Sequence, residues 1–143
     1  MNSTVDYNHD LSSWLTQQIV YLKSKQFDKL DIENLIEEIE SVGKSERRSI
    51  ESYFVILIGH MLKIRCQPEM FSRSWISSVG NSRRQIKKIL EDSPSLKREL
   101  ENLYNKAWDD GLTLAIEDTG MKRHKFPTAC PWSLTAALES PLE

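Results

Sequence analysis

The chain has 143 residues, 39% apolar and 28% charged, with five glycines and five prolines set between periodic segments. That composition excludes a disordered or low-complexity chain, and the length fits one domain, 1–143, able to bury roughly two-thirds of its unfolded surface without staples. A net charge of −2 argues by itself for neither nucleic acid nor membrane.

The distribution of charge is more telling. Residues 1–42 carry three Lys/Arg against eight Asp/Glu, a net of −5; residues 43–98 carry twelve against five, +7; residues 99–143 carry four against eight, −4. Acidic flanks therefore surround a basic middle, and the expected outcome is that the fold mostly neutralises it. Cys66 and Cys130 are the only cysteines and have neither CxxC nor zinc-finger spacing. The opening Met-Asn-Ser-Thr-Val-Asp has no basic or apolar leader region. A cytoplasmic, reduced protein is the expectation.

In chain order, Leu11, Trp14, Leu15, Gln18, Ile19 and Leu22 recur at steps of three and four, predicting a helix from about Asp10 to Lys25. Asp10 or Asn8 is placed to cap it. Asp31 caps a second helix, with Leu30 and Leu35 at staple spacing. Its apolar stripe is Ile32, Leu35, Ile36 and Ile39; Glu33, Glu37 and Glu40 form another face. Gly43 is expected to end it by taking the left-handed conformation. A third helix then runs from about Ser45 to just before Pro68. Its middle, Phe54 to Ile64, is apolar on nearly every side, so it is the expected axis of the bundle. That run is too short and too charged at its end to span a bilayer.

Ser72 or Ser74 starts a fourth helix that reaches about Asp92, with Gly80-Asn81-Ser82 as a weak centre. Ser93-Pro94 reads as the cap and first residue of a fifth helix, carrying Leu96, Leu100, Leu103, Ala107 and Leu114 to Gly120. Ser133 caps a short last helix, Leu134 to Glu139. No strand pattern and no internal repeat is found. The fold class is all-α: a single-domain helical bundle of about five main helices plus a short C-terminal helix.

Several strings occur together in order: Asp28-Lys29-Leu30-Asp31-Ile32-Glu33 through Val42-Gly43, His60-Met61-Leu62-Lys63 with Gln67-Pro68-Glu69, and Ser72-Arg73-Ser74-Trp75. Glu91-Asp92-Ser93-Pro94-Ser95-Leu96 follows, then Phe126-Pro127 to Cys130-Pro131-Trp132. In these the chain resembles the bacterial, mainly cyanobacterial, family called domain of unknown function 29, over almost its whole length. The resemblance implies an all-helical single domain and no particular activity. Trp132 stands where the family pattern suggests tyrosine, another aromatic.

Two constellations are candidates for function. The first gathers Glu33, Glu37, Glu40, Arg47, Arg48, His60 and Lys63. A short turn at Gly43 would make helices two and three antiparallel neighbours and bring Arg47 and Arg48 against Glu37 and Glu40 as a clamp. His60 is expected to be buried and neutral, with one ring nitrogen bonded to a polar partner. The second is a possible anion-binding face of Arg84, Lys87 and Lys88, with Arg83 turned partly toward the core. The sequence offers no nucleophile elbow, no phosphate-cradling glycine loop and no paired metal motif, so no catalytic, cofactor or metal residue is assigned. The leading expectation is a non-catalytic interaction module with an unknown protein partner, a second copy of itself included. The alternatives are an enzyme, such as a hydrolase, using His60 with acidic residues, or nucleic-acid binding through the basic middle; membrane partners are not expected.

Overall fold

A computed structural model of the chain describes residues 6–142. Those residues form α1 (Leu11–Lys23), α2 (Ile32–Cys66), α3 (Arg73–Asp92), α4 (Leu100–Thr119) and α5 (Leu134–Glu139), with short 3-10 segments between them and no strand. The protein is all-α. The chain divides between Lys44 and Ser45 into two compact units, and α2 belongs to both.

The principal departure from expectation lies at Gly43. The chain does not turn there: α2 runs unbroken for 35 residues. Gly120 ends α4 at φ 68°, whereas Gly43 keeps an ordinary negative φ. A glycine inside a helix costs only about 1 kcal/mol relative to alanine. Ile39, Val42 and Ile50 stay on one side of a single helix across it, with the charged Glu46 between them, and no proline interrupts, so the helix continues. Ser93 also behaves differently from its expected role. Its side chain caps nothing; its hydroxyl donates to Glu46 Oε2 at 2.7 Å, and Pro94–Glu99 forms a 3-10 lead into α4. The other starts are as the sequence predicts: Asp10 accepts from the Ser13 amide, Ser72 from Ser74 and Ser133 from Ala136.

The first unit is a hairpin of α1 and the start of α2. Tyr7 reaches Glu38, whereas Trp14 and Gln18, further along, both reach Asp31, so the two helices are antiparallel. Lys25, at φ 60°, takes the left-handed conformation just beyond α1 and turns the chain. Asp31 is the knot of the hairpin. It accepts from the Trp14 indole at 3.0 Å and from the Asn34 side chain at 2.7 Å, while its own amide donates to Gln18 Oε1 at 2.8 Å.

The second unit is built round the C-terminal half of α2, as its all-round apolarity predicts. Ile50, Phe54, Leu57, Ile58 and Leu62 are fully buried, joined by Val79 and Ile86 of α3, Ala107, Leu112 and Ala115 of α4, and Ala137 of α5. Helices α2 and α4 approach closely at two glycines. A side chain at Gly59 would run into Leu114, and one at Gly111 into Ile58. Arg83 is indeed turned inward, donating to the Ala137 and Ser140 carbonyls at the end of α5, each at 2.9 Å.

Candidate functional site

The residues of the first constellation are divided between the two units, Glu33, Glu37 and Glu40 in the first and Arg47, Arg48, His60 and Lys63 in the second. With no turn at Gly43, the Arg–Glu clamp has no hairpin to close. Arg47 instead pairs with Glu99 at 2.7 Å, which holds the Glu99 carboxyl below its ordinary range. Arg48, Glu33, Glu37 and Glu40 are exposed. No group of three or more His, Cys, Asp or Glu side chains that could hold a metal converges among the described residues.

What does gather round the axial helix is His60, Lys63, Trp75 and Asp118. His60 is half-buried and its Nδ1 lies 2.8 Å from the Ile56 carbonyl, the helical i−4 position. Burial lowers its pKa, and the nearby Lys63 charge acts in the same direction. Of the expected buried, bonded histidine, the bond is present and the burial is partial. Lys63 is 6% exposed. It donates to Asp118 Oδ2 at 2.9 Å and sits 5.1 Å from the centre of the Trp75 ring. A buried ammonium needs such partners, since an isolated one would be lost to desolvation. Asp118 was not among the sequence candidates. The available signal was Lys63 itself, a lysine inside an apolar helix that requires a carboxylate. The arrangement satisfies the charge of Lys63.

Nearby, the Tyr104 hydroxyl bonds to the Trp132 carbonyl at 2.9 Å and lies 3.1 Å from Cys130 Sγ. Burial pushes this phenol well above its usual range. Cys66 and Cys130 are free thiols. The second constellation keeps its shape: Arg84, Lys87 and Lys88 are exposed along α3 and make no ion pair among the described residues. Arg84 and Lys87 edge an open groove floored by Ile86, Leu90 and Leu138. Arg83, bound to carbonyls, takes no part in an exposed cationic row.

The most distinctive surface lies where a core was expected. In the first unit only Trp14 and Gln18 of α1 are buried. Leu11, Leu15, Ile19 and Leu22 of α1 and Ile32, Ile36, Ile39 and Val42 of α2 are 37–70% exposed. Ile39, part of the apolar stripe read from the sequence, is the most exposed of them at 70%. Among the described residues, ten of the thirteen exposed large apolar ones fall between Leu11 and Val42, and the second unit leaves Met70, Phe71 and Ile76.

The two stripes form one face. At about 100° per residue, Leu11, Leu15, Ile19 and Leu22 of α1 and Ile32, Ile36 and Ile39 of α2 are displaced roughly a quarter-turn from the line where the two helices touch, in the direction of advancing sequence, while Val42 lies close to that line itself. On antiparallel helices that displacement leads to the same side of the hairpin. Continuing round α2, Glu33, Glu37 and Glu40 come to its outer edge; the matching edge of α1 carries Ser12, Thr16 and Lys23. The face itself contains no charge. Tyr7 donates to Glu38 at the seam, and that bond raises its phenol to about 12.

An all-α chain with an axial apolar helix defines a helical domain. The protein belongs to the family described as domain of unknown function DUF29, whose model matches residues 7–141. No curated protein and no solved structure matches it.

Proposed function

We propose that the protein is a cytoplasmic, non-catalytic interaction module that docks a protein partner on the apolar face of its α1–α2 hairpin. One observation carries this reading: seven large aliphatic residues on two helices, Leu11, Leu15, Ile19, Leu22, Ile32, Ile36 and Ile39, stay 37–70% exposed on one side of the hairpin. Contiguous exposed apolar surface of a few hundred Å² or more marks interaction sites. Two free thiols suit a reducing compartment, and no helix of the described residues is long and apolar enough to cross a membrane.

The test is site-specific photo-crosslinking in the producing cell, with a benzophenone amino acid at Ile39 or Leu15. Adducts above the monomer mass are expected there, and none with the probe at Lys125, an exposed residue of the second unit. A silent face at both positions overturns the reading. A companion measurement uses Ile19→Gln with Ile36→Gln. Because these residues are already about half in water, the folded protein should melt within a few degrees of wild type. A large loss of melting temperature would show that the face is part of the fold.

A further inference from the structure

We propose that the occupant of the hairpin face is a second copy of this chain, the two hairpins closing face to face into an antiparallel four-helix assembly about a dyad parallel to the helices. The inference rests on the reading of that face as a docking surface and names its partner.

Three observations select this occupant. The first is area. Seven aliphatic side chains about half in water present on the order of 700 Å², close to the share one partner gives to a standard protein interface. The second is shape. The face is two helices wide, with α1 contributing four residues and α2 three. Its natural complement is another two-helix layer of the same spacing, and an isologous dimer supplies one. A single helix laid in the seam would cover the inner edges and leave Ile19 and Ile36, nearer the outside, in water.

The third is charge. Leu11, Leu15, Ile19, Ile32, Ile36 and Ile39 put no charge into the contact, so self-pairing buries no like charges. The glutamates sit on the outer edge of α2, and a dyad along the helices lays that edge against the partner's α1. The outer edge of α1 carries Ser12, Thr16 and Lys23 and no acid. A dyad across the helices would instead set two glutamate edges together.

The charge also gives the dimer a signature. Residues 1–44 carry four Lys/Arg and eight Asp/Glu, a net of −4. Two such units repel, so salt screens the repulsion and tightens the dimer. A basic partner helix would respond in the opposite direction.

The experiment is sedimentation equilibrium of the purified full chain up to about 100 µM, at about 50 mM and about 500 mM salt. The expected result is a species of twice the chain mass, tighter at the higher salt. Ile36→Glu with Ile39→Glu should weaken it at least about 100-fold, because each copy would bury two unpaired carboxylates. Circular dichroism should show unchanged helix content. A wild type that stays monomeric, a double variant that still dimerises, or a dimer loosened by salt overturns the proposal. Should the double variant lose helicity, the purified wild-type sequence with a benzophenone at Ile39 decides: an adduct of twice the chain mass supports the dimer, and its absence refutes it. A monomer whose face still crosslinks in cells refutes self-pairing and leaves the docking reading standing. A monomer with a silent face refutes both.

Discussion

Gly111 offers a test of how α2 and α4 are packed. In Gly111→Ala the new Cβ would lie 2.7 Å from Ile58 Cγ2, 2.8 Å from Ile58 Cβ and 3.3 Å from the Val55 carbonyl oxygen. Carbon atoms rest at about 3.5–4.0 Å, so one helix must shift by roughly 0.7–1 Å or Ile58 must move. Ile58 is fully buried and branched at Cβ, so it has no free rotamer to take. Overpacking of this kind costs about 1–3 kcal/mol. Against it stands the helix propensity gained from alanine, about 1 kcal/mol. The net expectation is a loss of about 1–2 kcal/mol, or several degrees in Tm. Gly80→Ala is the matched control in α3: its Cβ would meet only Arg84 Nη1 at 3.2 Å, the far end of an exposed side chain. That variant should gain up to about 1 kcal/mol. Thermal and urea unfolding of both variants against wild type gives the answer. Gly111→Ala as stable as wild type, or Gly80→Ala equally damaging, would refute the packing argument.

Two further outcomes follow from the axial helix. Because burial holds the folded His60 pKa below its unfolded value of about 6.5, the unfolded chain takes the proton first. The contribution of neutral His60 is therefore whole above about pH 6.5 and is lost as pH falls through the folded value. His60→Gln should flatten that part of the pH–stability profile, and ring-proton NMR should titrate below the usual histidine range. Asp118→Ala, which strands the buried Lys63 ammonium, should cost about 1–3 kcal/mol. Lys63→Met, which removes the charge as well, should cost less when both are compared by urea unfolding.

Helix starts were legible because each is written in one or two residues: Asp10, Asp31, Ser72 and Ser133 carry acceptors that an uncapped amide needs. The axial role of Phe54 to Ile64 was legible because a helix apolar all round has no solvent side to offer. Gly43 misled because glycine is permissive, not directive. It ends a helix where the following chain leaves the helical register, as after Gly120, and is carried along where the register continues. Ile32, Ile36 and Ile39 misled in another way. Periodicity shows that a face is apolar but not what lies against it, so the same pattern that predicts a core also describes an uncovered surface. Asp118 escaped notice because its partner, Lys63, is 55 residues away in sequence, and nothing local announces such a pair.

The knot at Asp31 has a consequence for how the hairpin opens. The residue that caps the 35-residue helix is held by two side chains of α1, Trp14 and Gln18. If α1 lifts away, it takes both partners from Asp31 and loosens the first turn of α2 with it. The two segments should behave as one cooperative opening unit. Amides of α1 and of the first turns of α2 should then exchange with solvent at a common free energy, separate from the slow amides around Leu57. A graded fraying from residue 32 onward, independent of α1, is the behaviour this arrangement forbids.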